Sequence, residues 1–196
     1  MTLSLHEDAF SDGQVRSKIW LADMVSQWAA KHFENFEKPY VITWYGSWVG
    51  VGPLLLLSKT NIPFSKLVLV EIDEVSLQTS KSILNHWDWR KDRVFYIKED
   101  INRYVPGVSS APSLFINTIC EHLPSDQWLK NIPPGSLVIL QATDMPHDEH
   151  TNRPKNLADF TERFSDSGLK ILESAQLNFD YLNGKTFSRF MILGRT

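Results

Sequence analysis

The sequence predicts an α/β protein: a mostly parallel sheet of seven strands, helices on both faces, and an antiparallel hairpin at the C-terminal end. Three observations carry this. From residue 40 onward, short runs rich in branched and aromatic residues alternate with stretches of helical period, as strands buried under crossover helices do. The first run leads straight into Gly46-Ser47-Trp48-Val49-Gly50-Val51-Gly52, a Gly-rich turn before a helix. The last two runs are separated by Asn183-Gly184, a dipeptide suited to a tight hairpin.

The elements follow in order. Ser11, with Gln14 three residues later, has the form of a capping box and sets a helix start. Trp20, Met24, Trp28 and Phe36 then recur near helical spacing, with Ile19, Val25 and Phe33 beside them, and Pro39 ends the helix. Residues 41–45 are β-branched and aromatic and form the first strand. Leu54 opens a helix that closes before Pro63. Residues 66–71 are the second strand, and residues 74–87 a helix with Val75, Ile83, Leu84 and Trp87 as apolar positions. Strands three to five fall at 93–97, 113–116 and 136–141, with a short helix at 125–132. Asn156 precedes Leu157, Phe160 and Phe164 at helical spacing, and Gly168 stops that helix. Residues 170–179 and 186–193 make the hairpin. Residues 40–196 read as one domain capped by a helical segment, 1–39.

A length of 196 residues suits a single core. The net charge of -3 supplies no basic face, so nucleic acid is not an expected partner. Cys120 is the only cysteine, which rules out an internal disulfide and a cysteine-based zinc site and suits a reducing compartment. The first ten residues carry His6, Glu7 and Asp8 and no apolar run of the signal-peptide kind. No stretch approaches the roughly 18 apolar residues of a membrane span, so a cytoplasmic protein with no membrane partner is expected.

In an open parallel sheet, ligands bind at the carboxyl ends of the strands, where strand order reverses. The residues just after each strand therefore form one set. They are the Gly-rich turn, then Glu71-Ile72-Asp73, Glu99-Asp100-Ile101, Asn117 to His122, and Ala142-Thr143-Asp144. Glycine lets backbone approach a ligand closely. A carboxylate after strand two can accept from both hydroxyls of a ribose, and one after strand three from the exocyclic amine of adenine. Acidic surroundings suit a sulfonium cation.

In this order of elements, covering about residues 40–196, the chain resembles the class I S-adenosylmethionine (SAM)-dependent methyltransferases, whose fold is Rossmann-like. The resemblance implies that Tyr45, Gly46, Ser47, Trp48 and Gly50 hold the methionine part of SAM. It implies Glu71, with Ile72, at the ribose and Asp100, with Ile101, at the adenine. It places the segment Asn117 to His122 facing the transferable methyl, with Asn117 and Thr118 among the cofactor contacts. The chain departs from the family twice: Trp48 replaces the middle Gly of Gly-x-Gly-x-Gly, and Trp44 replaces the acid two residues before the first Gly. The stretches FINTICEHLP and QATDMPHDEHTN also resemble uncharacterised methyltransferase-like proteins of phages and marine microbes. A dehydrogenase turn would need a third Gly at Leu55.

Asn117, Glu121 and His122 are the candidate catalytic residues, since an imidazole can accept a proton near neutral pH. The alternative for Glu121 and His122 is a turn cap before Pro124. Cys120, among apolar neighbours, reads as a small core residue. His147 and His150, three apart with acids between, could bind a divalent ion. A polar substrate loop with no metal is the reading adopted, with Asp144 part of it. Gln14, Ser17 and Lys18 are further substrate candidates near the helix start. The expected reaction is methyl transfer from SAM to an oxygen or nitrogen of a small molecule. Two other readings stand beside it: another SAM-consuming enzyme, such as an aminopropyl or aminocarboxypropyl transferase or a SAM lyase, and a non-catalytic SAM-binding protein.

Overall fold

A computed structural model describes residues 7–33, 38–87, 91–107, 109–181 and 184–196. Phe36, Asn183 and His6 lie outside the described residues, as do the side chains of Glu7, Trp87 and Lys91. Seven strands form one sheet: β1 (Tyr40–Tyr45), β2 (Phe64–Glu71), β3 (Val94–Lys98), β4 (Ser113–Asn117), β5 (Leu137–Thr143), β6 (Lys170–Asp180) and β7 (Thr186–Arg195). Their order is β3-β2-β1-β4-β5-β7-β6, and only β7 runs antiparallel to its neighbours. The chain winds outward from β1 through β2 to β3, then crosses to β4 on the other side of β1. Strand order thus reverses between β1 and β4, and the crevice for a ligand lies at their carboxyl ends.

Alternation along the strands explains the two-faced core. In β2, Leu67 and Leu69 face one side, and Val68 and Val70 the other. The first side packs with α1 (Asp12–His32), α2 (Val51–Lys59) and α3 (Glu74–Trp87) through Leu21, Trp28, Leu56 and Leu84. The second packs with α4 (Leu157–Asp166) and a 3-10 turn, Gln127–Asn131, through Phe160, Phe164 and Trp128.

Several local expectations need correction. Ser11 is the N-cap of α1, yet no capping box forms: its side chain makes no cap bond, its N–H donates to Asp8 O, and the Gln14 amide oxygen accepts from Lys18. The buried stripe of α1 is Lys18, Leu21, Ala22, Val25 and Ala29, with Trp20 and Met24 only half-buried. The helix ends at His32, before Pro39. α2 starts at Val51 instead of Leu54, because left-handed Gly50 is its N-cap and Pro53 fits the first turn, where no amide proton is needed. Residues 125–132 hold a 3-10 turn, shorter than the expected helix. Val75 is exposed. β5 ends two residues later than expected, so Ala142 and Thr143 belong to the strand and only Asp144 follows it. Among the described residues, no helix is long and apolar enough to cross a membrane.

Candidate functional site

Tyr45 and Asn117 are register partners at the last positions of β1 and β4, so the Gly-rich turn and the segment after β4 leave the sheet side by side. Gly46 has φ +61, and a Cβ there would meet the Ile119 side chain at 2.5 Å, so only glycine fits. Gly50, at φ +85, is equally closed by Ser80, whose Oγ would lie 2.6 Å from a Cβ placed there. Between them Trp48 is also left-handed, with φ +47, at a cost on the order of 1–2 kcal/mol for a residue bearing a Cβ. The middle position of this turn requires the backbone form that glycine usually supplies.

What holds Trp48 there is Glu71. Its Oε2 accepts from Trp48 N at 2.8 Å, and its Oε1 accepts from Ile72 N at 2.9 Å and Asp73 N at 3.1 Å. A carboxylate offers about four acceptor sites, so three are engaged and about one remains. Ile72, 65% exposed, lies beside this carboxylate in the chain as an apolar surface. Asp100 Oδ1 accepts from Asn102 N at 2.9 Å and Asn102 Nδ2 at 3.0 Å, so it shapes its own turn.

Other predicted contacts are turned away. The Tyr45 ring is fully buried against Tyr104, Phe115 and Trp128, and burial pushes its phenol well up. Ile101 is in the same core. Only the backbone of these two residues is placed at the strand ends. Trp44, standing where the family has an acid, is buried under α2; its ring sits 2.6 Å from where a Gly52 Cβ would be. Its indole N–H donates to Thr118 Oγ1 at 3.4 Å, which ties β1 to the β4 end. Ser47 Oγ and Asn117 Nδ2 are buried without a partner, while Asn117 Oδ1 accepts from Ile119 N at 2.9 Å.

Beyond Asn117 the chain makes a 3-10 turn, Cys120–His122. Burial pushes the Cys120 thiol well up, consistent with its place in the core. Glu121 is 2% exposed. Its Oε1 lies 3.7 Å from Arg189 Nη1, and its Oε2 has no partner. Burial raises its carboxyl to about 7, against the pull of Arg189 and Lys18. Lys18 is buried as well, and burial, with Arg189 nearby, lowers its ammonium to about 7. Gln141 joins this group: its Nε2 donates to Ser17 O at 3.3 Å, while its Oε1 is unpartnered. Arg189 and Gln141 were not singled out in the sequence. Burial, and then His150, lower His122 to about 4.

The loop after β5 closes over this segment. Asn152 N donates to Glu121 O at 3.0 Å, and Thr151 Oγ1 to His122 O at 3.1 Å. The His150 ring stands edge-on to that of His122, centroids 4.7 Å apart. A cavity of about 500 Å³ opens beside them, lined by Pro146, His147, Asp148, His150, Thr151 and Arg153. Asp144 is not part of it; its Oδ1 accepts from Ser188 N at 2.6 Å and continues the β5–β7 ladder. Gln14 holds Lys18, so its amide oxygen is already engaged.

Solved structures of methyltransferases share this architecture. Magnesium protoporphyrin IX methyltransferase from Synechocystis PCC 6803, with bound S-adenosylhomocysteine, aligns with a TM-score of 0.66 over 95% of this chain and 88% of its own, at 12% identity. A SAM-dependent methyltransferase from Leishmania major aligns with a TM-score of 0.64 over 92% and 74%, at 13% identity. This chain has the class I methyltransferase fold. A third structure with that fold, phosphoethanolamine N-methyltransferase 2 from Haemonchus contortus, aligns with a TM-score of 0.61 over 98% of this chain and 59% of its own, at 12% identity. No protein-family model matches the sequence, and no curated protein matches it either. The likeness is thus one of fold, carried on sequences only 12–13% identical.

Proposed function

We propose that this protein is a SAM-dependent methyltransferase acting on an oxygen or nitrogen of a small molecule. One observation carries the reading: at the reversal point of a methyltransferase fold, a glycine turn with no room for a Cβ lies beside a buried, unpartnered amide, Asn117 Nδ2. Together they make a cradle with a donor available to a ligand. The residues present fit SAM. The turn from Gly46 to Gly50 would hold its amino-acid part, Glu71 its ribose through the remaining acceptor site, and Asp100 its adenine. When bound, SAM supplies an electrophilic methyl on a cationic sulfur, so the protein's work is to align a nucleophile and take up a proton.

Lys18, Glu121, His122 and Arg189 would form the acceptor side. Lys18 and His122 are its nitrogen bases, and the cavity next to His150 gives a small substrate its way in. The net charge of -3 and a cavity of this size favour a small molecule over a nucleic acid. Trp44 in place of the family acid favours one second reading, a different reaction of the same ligand. Product analysis separates the two: S-adenosylhomocysteine marks methyl transfer, and methylthioadenosine or homoserine lactone marks the alternative.

The first test is calorimetry with S-adenosylhomocysteine on the wild-type chain. Saturable one-to-one binding is expected, with no binding of NAD. A chain that binds NAD and ignores both SAM and S-adenosylhomocysteine would refute the reading.

A further inference from the structure

Glu121, His122 and His150 each bring one ligand-capable atom within 4.8 Å of the others. They come from two loops, and backbone bonds set their spacing. Asn152 N binds Glu121 O, Thr151 Oγ1 binds His122 O, and Arg163 donates to both Asn152 O at 2.9 Å and Cys120 O at 3.3 Å.

Three further observations point to what the cluster takes. Glu121 Oε2 is buried with no donor, an arrangement that costs free energy unless a cation or a proton meets it. His150 Nδ1 lies 2.7 Å from Met145 O. A carbonyl only accepts, so Nδ1 carries the proton, and Nε2 of the neutral ring presents its lone pair. His122 Nδ1 lies 4.0 Å from the Glu149 carboxylate, beyond hydrogen-bond reach but close enough to favour positive charge on the second imidazole. Metal-binding histidines are commonly oriented as His150 is, the far nitrogen donating to a carbonyl or carboxylate.

We infer that Glu121, His122 and His150 form a site for one borderline divalent cation of the Zn²⁺ type. Two imidazoles and one carboxylate suit Zn²⁺, Co²⁺ or Ni²⁺ better than Mg²⁺ or Ca²⁺, which prefer all-oxygen shells. Arg189 does not compete for the same atom: it faces Oε1, while Oε2 is the unpartnered oxygen. With three protein ligands, positions stay open toward the cavity beside His150, where a substrate oxygen or nitrogen could bind. An ion there engages the His122 imidazole and leaves Lys18 as the free nitrogen base.

The test is titration of the chelator-stripped, tag-free full chain with Zn²⁺ alone by calorimetry, repeated with Co²⁺ by visible absorption and with Mg²⁺. One Zn²⁺ per chain is expected, with Co²⁺ giving tetrahedral or five-coordinate bands and Mg²⁺ no saturable uptake. His122→Ala and His150→Ala should each weaken Zn²⁺ by at least about 10- to 100-fold. His147→Ala, outside the cluster, should change it by less than about threefold, within the scatter of a surface substitution. Absence of saturable Zn²⁺ uptake overturns the site. So does uptake that survives both His122→Ala and His150→Ala, or that falls as far with His147→Ala. Circular dichroism on each variant checks that it is folded. Zn²⁺ uptake by a chain that fails to bind S-adenosylhomocysteine keeps this site and removes the function proposed above.

Discussion

Two glutamates end up on the same rim of the sheet in opposite circumstances. Glu71, after β2, is partly open to solvent and accepts three backbone N–H bonds. Glu121, after β4, is buried, faces one guanidinium at 3.7 Å and leaves an oxygen unpartnered. The first is a scaffold, a charged acceptor that fixes a left-handed turn. The second lacks a partner the protein itself does not supply. Polar groups left unsatisfied in a core are costly, so they mark places where a ligand completes the structure. On the proposed function, the cofactor side would be built in advance, and the acceptor side would be completed by what it binds.

Three substitutions would break or sharpen that contrast. Arg189→Met has the largest expected effect. It removes the one side chain that, among the described residues, forms an ion pair with buried Glu121, and the loss should be about 3–5 kcal/mol, read as a lowered midpoint in urea unfolding. A variant as stable as wild type would mean that Glu121 is already partnered by other means. Glu71→Ala comes next. Three donors lose a charged acceptor, so S-adenosylhomocysteine affinity should fall roughly ten- to a hundredfold, or about 1.5–3 kcal/mol, with thermal stability falling too. Affinity unchanged in calorimetry, with stability reduced, would make Glu71 purely a brace for Trp48. Lys18→Met has the smallest effect on folding. It replaces a buried ammonium with an apolar chain of similar length, so stability should hold within about 1 kcal/mol. Turnover should nevertheless drop; equal turnover would remove Lys18 from the acceptor side.

Much of the fold was legible because the strands carry their own signal. Residues 67–70 are apolar on both faces, as only a strand covered on both sides can be, and the residues after each strand fell on one rim. The Gly-rich turn was legible for the same reason: Gly46 and Gly50 sit where no Cβ fits. What stayed hidden was direction. Tyr45 and Ile101 are themselves predicted contacts, but their side chains turn into the core. Arg189 and Gln141 lie inside β7 and β5, and nothing in a strand sequence separates a buried arginine from one that faces water. Lys18 did leave a trace: at three, four and seven residues before Leu21, Ala22 and Val25 it sits on the buried stripe of α1. The bond between the β4 and β5 loops spans about thirty residues, a distance at which no local pattern is informative.

Arg163 has a consequence of its own. From α4 its one guanidinium grips the Asp126 carboxylate at 2.5 and 2.7 Å, the Asn152 carbonyl and the Cys120 carbonyl. Two loops that a substrate would meet are thereby riveted to α4, the helix packed in the same core as Cys120. In mechanical terms the acceptor wall is a single stiff plate, not a pair of independent flaps. Choice among substrates then rests on the shape of that plate, and a residue that touches no ligand sets how narrow the choice is.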